Sequence, residues 1–236
     1  MQNFIALLIT LSLALIWLRL NNFIAHRGWI SSGLSRKIIH IGTGPIFVLC
    51  WILFDDTFSA RYFAAIVPLL ITVQFFLIGS GIIKDQSSID SMSRTGNRKE
   101  ILKGPLFYGI VFVVMTILFW KDNLVGIISL MMLCGGDGLA DVIGSRFGKT
   151  RLFWSNKKTW LGSFAMFLGG LFTTIIVISI YFAAGIFEGN VYQFLPAIIA
   201  IGFIAAFFES LPLEDYDNLV VPVVVTISCL LILPKG

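Results

Sequence analysis

Long apolar runs separated by short polar breaks recur along the whole chain. Read against the loop signals, they predict helices near residues 3–20, 38–54, 62–83, 105–120, 123–144, 162–184, 191–208 and 219–233. Each run approaches the roughly 20 residues that a helix needs to cross a bilayer core. Alternating ten-residue segments of barrel type are absent, and a backbone in lipid must satisfy its own hydrogen bonds. The expected fold class is therefore all-α: a polytopic integral membrane bundle of about seven or eight transmembrane helices. The breaks are too short for a separate soluble domain, so residues 1–236 are read as a single transmembrane domain. Asn3–Leu20 looks at first like a signal peptide. Its basic residues follow the apolar run instead of preceding it, so it is kept as the first membrane helix.

Composition agrees with the pattern: 57% of the 236 residues are hydrophobic and only 13% charged, which excludes an ordinary soluble domain. The formal net charge of +4 does not point to nucleic acid, because the basic residues lie in short loops between apolar spans. Arg19, Arg27, Arg36 and Lys37 flank the first loop. Lys84, Arg94, Arg98, Lys99 and Lys103 follow helix three, and Arg146, Lys149, Arg151, Lys157 and Lys158 follow helix five. The intervening loops hold only Arg61 and Lys121, and Lys235 closes the chain. The positive-inside rule then puts the N-terminus outside and the three basic loops in the cytoplasm. With eight helices the acidic segment Glu209–Asn218 falls on that same face. Basic loops opposite an acidic one suit a metal-bound polyphosphate. Cys50, Cys134 and Cys229 each sit inside an apolar run and read as small core residues.

The most informative stretch is Gly135–Gly148, followed by Asn156-Lys157-Lys158-Thr159. On a continuous helix Asp137 and Asp141 project from one face, and two carboxylates so placed repel unless a cation lies between them. Mg²⁺ suits them, because it favours oxygen ligands and bridges to substrate phosphates. Gly136, Ala140, Gly144 and Gly148 form a small-residue row that suits close helix packing. Gly144–Thr150 invites a P-loop reading, but only three residues separate its glycines and no strand precedes them. Lys157 and Lys158 can neutralise phosphate as point charges in any fold. Arg36, Lys37 and His40 at the mouth of helix two, and Arg98 and Lys103 before Pro105 at helix four, form two further basic segments. Snorkelling anchors account for most such segments. An imidazole at a helix mouth can also orient or deprotonate a hydroxyl.

Five pieces in order resemble the polyprenol kinase family, in its phytol kinase and farnesol kinase branch. They are Arg36-Lys37-x-x-His40, the segment Arg98 to Tyr108, Gly136-Asp137-Gly-Leu-Ala140-Asp141 with Gly144 and Gly148, Lys157-Lys158-Thr159-x-x-Gly162-Ser163, and Glu209-Ser-Leu-Pro212 with Asp217-Asn218-Leu-x-Val-Pro222. The resemblance implies a single catalytic membrane domain that moves the γ-phosphate of CTP, with Mg²⁺, to the hydroxyl of a long isoprenoid alcohol held in the bilayer. In the related dolichol kinases an acidic residue commonly precedes the final glycine of the nucleotide motif. Leu161 stands there in this chain, so the fit is to the phytol kinase form. The CTP-dependent phosphatidate cytidylyltransferases carry Lys-Asp and Asp-Arg pairs near their C-terminus that this chain lacks.

Under that resemblance, Asp137 and Asp141 are the expected metal ligands. Lys157, Lys158, Arg98, Lys103, Arg36, Lys37, Gly144, Gly148 and Thr159 are the expected nucleotide-binding residues. His40, Glu209, Asp217 and Asn218 complete the catalytic set as metal or hydroxyl-orienting groups. A transporter is the competing class, disfavoured because ionisable residues avoid the middles of the spans and no internal repeat is evident. Nothing in the residues specifies an oligomeric state.

Overall fold

The computed structural model describes residues 1–93, 95–213 and 216–234. Arg94 of the second basic loop, Glu214 and Asp215 of the acidic segment, and Lys235 lie outside the described residues. The chain forms two compact units, Met1–Ile117 and Leu118–Gly236.

In the first unit, helices α1 (Gln2–His26), α2 (Ser32–Cys50) and α3 (Ala60–Ser80) are long and apolar. The first runs six residues past the predicted Leu20, because its polar end is stitched rather than frayed. Asn21 donates from Nδ2 to the Trp17 carbonyl at 2.8 Å, and Ser35 Oγ donates to the Asn21 carbonyl at 3.2 Å. Gly28, at φ +74°, then turns the chain, with backbone bonds from Gly28 to Ala25 and from Trp29 to Ile24. Helix α2 starts earlier than predicted, where Ser31 Oγ accepts from the Leu34 amide at 3.3 Å, so Arg36, Lys37 and His40 are helical.

The loop after α3 is an ordered element. Asp85 caps a short helix α4 (Gln86–Met92), and Ile89 and Ile101 pack on Ile78. A 3₁₀ turn (Arg98–Leu102) leads into α5 (Gly104–Leu118).

The second unit is built around one long helix. It comprises α6 (Leu124–Met131), a π-helical turn (Met132–Asp137) and α7 (Gly138–Phe147). A two-stranded antiparallel hairpin, β1 (Arg151–Leu152) and β2 (Ser155–Thr159), follows. It is the departure from an all-helical chain among the described residues, and short strands in a polar loop leave no run long enough to predict. Then come α8 (Trp160–Ala183), α9 (Leu195–Glu209) and α10 (Asp217–Ile232). Among the described residues seven helices are long and apolar enough to cross a membrane, and α10, with 16 residues, is shorter. The protein is a multi-pass helical membrane protein.

Packing in this unit depends on backbone contact. A Cβ built on Gly169 would lie 2.5 Å from the Gly135 carbonyl oxygen, and one on Gly136 would lie 2.6 Å from Met166 Sδ. Only glycine lets α8 approach the π turn so closely. Thr173 Oγ1 lies 3.4 Å from the Met131 carbonyl, beside the turn where the regular helical ladder is interrupted. On the other flank Ser129 and Thr226 share a hydroxyl hydrogen bond of 3.0 Å, joining α6 to α10.

Candidate active site

Asp137 is the last residue of the π turn and is 8% exposed. A π turn widens the helix locally and occurs disproportionately at functional sites. At the same level α9 ends in Glu209, 3% exposed, and α10 begins with the half-buried Asp217. Oxygens from these three carboxylates lie within 4.8 Å of one another. Three helices therefore deliver one acid each to one point.

The hairpin supplies the opposing charge. Along β2, Ser155 and Thr159 are buried, Asn156 and Lys157 are exposed, and Lys158 is partly buried. Lys158 Nζ donates to Glu209 Oε1 in a short contact and to Asp217 Oδ2 at 3.3 Å. Burial alone pulls the Lys158 pKa down, but Glu209, Asp137 and Asp217 together outweigh that and hold it above the ordinary lysine value. The hairpin is tied in place by Trp154, whose indole N–H donates to the Ser210 carbonyl at 3.2 Å and to Ser210 Oγ at 3.1 Å. The amide of Lys158 donates to Ser155 Oγ at 3.2 Å, so the strand that carries the ammonium is itself braced.

Chemically this is a hard-oxygen site. Three carboxylates so close fit a divalent cation of the Mg²⁺ type, which takes oxygen donors from protein and phosphate together. Two of the three, Glu209 and Asp217, come from the acidic segment that sequence reading placed on the same face as Asp137. Asp141, the expected partner of Asp137, is half-buried and is not a member of the trio. It lies one turn further along α7, whereas the ends of α9 and α10 reach the level of Asp137. Asn218 follows Asp217 in the first turn of α10, and its amide donates to Asp217 Oδ1 at 3.0 Å.

Gly144, Gly148 and Thr159 meet at the junction of α7 with α8. A Cβ on Gly144 would lie 3.1 Å from Gly162 Cα, and one on Gly148 would collide with Thr159 Oγ1. Thr159 caps α8 by accepting from the Gly162 amide at 3.1 Å.

The remaining candidates belong to the first unit. Arg36 and Lys37 are half-buried in the first turns of α2. The His40 ring packs on Tyr108 with centroids 4.4 Å apart, and Tyr108 Oη donates to the His40 carbonyl at 2.9 Å. Arg98 and Lys103 are exposed, and the Arg98 guanidinium fills the space over Gly81, where a Cβ would collide with it. Sequence reasoning missed the π turn, the hairpin and the contact of Lys158 with the acids. The glycine pair before Asp137 was the available signal for the π turn; Ser155–Thr159 carries no alternating pattern that marks a strand.

Comparison with known proteins finds strong similarity over most of the chain. A chloroplastic protein of Triticum aestivum named as a probable phytol kinase is 38% identical over 201 residues, covering 84% of this chain and 67% of the relative. "Phytol kinase 1, chloroplastic" of Arabidopsis thaliana is 38% identical over 207 residues, 87% and 68% of the two chains. "Farnesol kinase, chloroplastic" of the same plant is 37% identical over 199 residues, 83% and 64%. No protein-family profile matches the chain, and no solved structure does.

Proposed function

The chain belongs to the family of phytol and farnesol kinases, and from that membership we propose that it transfers the γ-phosphoryl group of CTP to the hydroxyl of a long isoprenoid alcohol, phytol first, at the cytoplasmic membrane face. The coarser statement, a kinase with an isoprenoid alcohol as acceptor, rests on the relatives alone. The observation that supports metal-dependent phosphoryl transfer here is the convergence of Asp137, within one long helix, with Glu209 and Asp217 at the ends of two others and with Lys158.

Phosphoryl transfer needs positioning and charge neutralisation more than covalent chemistry from the protein. When bound, Mg²⁺ supplies neutralisation of the triphosphate and fixes its orientation. Asp137, Glu209 and Asp217 would hold it, with Asp141 one turn away on α7. Lys158, from the braced strand, would neutralise phosphate oxygen, with Lys157, Arg98, Lys103, Arg36 and Lys37 as further cations on the same predicted face. Asn218 beside Asp217 would orient the hydroxyl. The alcohol oxygen forms a bond to Pγ, the bond from Pγ to the bridging β–γ oxygen breaks, and the hydroxyl proton leaves to solvent or a neighbouring base. The products are the alcohol monophosphate and CDP. Gly144, Gly148 and Thr159 serve by keeping α7 against α8, which sets the hairpin's height above the acids.

The test is label transfer by purified protein from γ-³²P-CTP to phytol, farnesol, geranylgeraniol and dolichol, with ATP and UTP as competing donors. Label from the γ position on phytol is the expected result. Label from α-³²P-CTP on phosphatidate would instead make the protein a cytidylyltransferase, and no transfer from either would remove the kinase assignment.

A further inference from the structure

This inference rests on the reading of the carboxylate trio as the seat of a nucleotide-bound cation. Three acids within 4.8 Å of one another in a largely buried site cannot stay charged together without a counter-charge. The chain supplies one from within: the Lys158 ammonium bonds two of the three acids, Glu209 and Asp217. A lysine has a compact ammonium on a flexible stem, so its head can move while its backbone stays put. The backbone here does stay put, held by the bond from the Lys158 amide to Ser155 Oγ and by the Trp154 contacts to Ser210. The Lys158 side chain is a quarter exposed, against 4% for Glu209 and 15% for Asp217, so it lies on the open side of the acids. A divalent cation and this ammonium compete for the same oxygens.

We propose that Lys158 is the resident counter-ion of the site, holding Glu209 and Asp217 while the site is empty and moving its ammonium to phosphate oxygen when a metal-bound triphosphate arrives. Two consequences distinguish this from an ordinary phosphate-binding lysine. Free divalent metal binds poorly, because Lys158 must leave the acids with nothing to receive its charge. Nucleotide strengthens metal binding, because the triphosphate receives it, and the coupling is reciprocal.

The experiment titrates the whole protein in nanodiscs with Mn²⁺, reading free Mn²⁺ by electron paramagnetic resonance, without nucleotide and with CTP. Lys158→Gln is expected to bind Mn²⁺ about tenfold more tightly than wild type without nucleotide, the gain from removing one adjacent positive charge. Lys158→Arg, which keeps the charge, is expected to stay near wild type. CTP should tighten Mn²⁺ binding strongly in wild type and much less in Lys158→Gln. If Lys158→Gln does not fold, wild type decides alone: with the Mn²⁺ bound by CTP in a protein-free control subtracted, Mn²⁺ binding as tight without nucleotide as with it overturns the proposal. Equal or weaker Mn²⁺ binding by Lys158→Gln while wild type binds also overturns it, and leaves the trio as a cation site. Absence of Mn²⁺ binding by wild type, with CTP as well as without, removes the cation-site reading underneath it.

Discussion

The two units treat their charged residues differently. In the N-terminal unit the four long apolar spans are only 22–39% buried; Arg36, Lys37, Arg98 and Lys103 lie near span ends, and His40 lies two turns inside α2. In the C-terminal unit the apolar stretch of the helix through Leu124–Phe147 is 78% buried, and Asp137 lies on that helix. A helix surrounded by protein can carry an ionisable group deep in a membrane bundle, because neighbouring helices supply the partners that lipid cannot. Charge at span ends orients and anchors, whereas charge on an enclosed helix has to be answered residue by residue. Within the chain that answer is Lys158, which bonds Glu209 and Asp217 and feels the charge of Asp137.

The largest expected effect comes from breaking the enclosed centre. Asp137→Asn should lower kcat by about 10²–10³-fold, the cost of removing one preorganised charge at a phosphoryl-transfer site. Circular dichroism should stay at the wild-type level, and retained turnover would remove the trio from catalysis. Next, Lys158→Met should destabilise the protein by about 3 kcal/mol, since it leaves buried acids without their cation. Thermal unfolding in detergent measures this, and Lys158→Arg should recover most of the loss.

A pair of glycine substitutions sharpens the contrast in packing. Gly169→Ala puts a methyl 2.5 Å from the Gly135 carbonyl oxygen, where backbone cannot give way, and should cost about 1–3 kcal/mol. Gly33→Ala, with open space around it in the first turn of α2, should be neutral or stabilise by up to about 1 kcal/mol. The smallest effects belong to the polar groups of the N-terminal unit. Arg98→Ala should raise KM for the nucleotide by about tenfold with kcat little changed, as loss of a charge-assisted contact would do. His40→Phe, which keeps a ring on Tyr108, should lower kcat by less than about tenfold; a loss nearer 10²-fold with altered pH dependence would assign the imidazole to proton transfer.

Much of this was legible along the chain. Apolar runs located every span and most of their ends to within a few residues, because the requirement for about 20 apolar residues per crossing operates on sequence directly. Errors fell at ends governed by side-chain bonds to the backbone, such as the Asn21–Trp17 stitch that carries α1 past Leu20 and the Ser31 cap that starts α2 early. Asp137, Glu209, Asp217 and Lys158 were each singled out, since an acid or base beside a membrane span is costly and so conspicuous. Their place in one site was expected from the resemblance, but not which acids meet or that Lys158 bonds two of them. Spacing along one helix linked Asp137 to Asp141, but a four-residue interval says nothing about which other helix ends lie level with it.

The sequence by itself determined a multi-pass helical membrane protein, its family, and the set of residues from which a site could be made. Tertiary structure alone decided that a π turn ends on Asp137, that α9 and α10 bring Glu209 and Asp217 to it, and that a braced hairpin sets Lys158 among them. The physical reason is range. Hydrophobic length and charge bias act through local composition, while the carboxylate trio joins positions 72 and 80 residues apart in the chain, from Asp137 to Glu209 and to Asp217. Which of them meet is settled by the packing of whole helices, as where Gly135, Gly136 and Gly169 let α8 lie against the π turn that ends on Asp137.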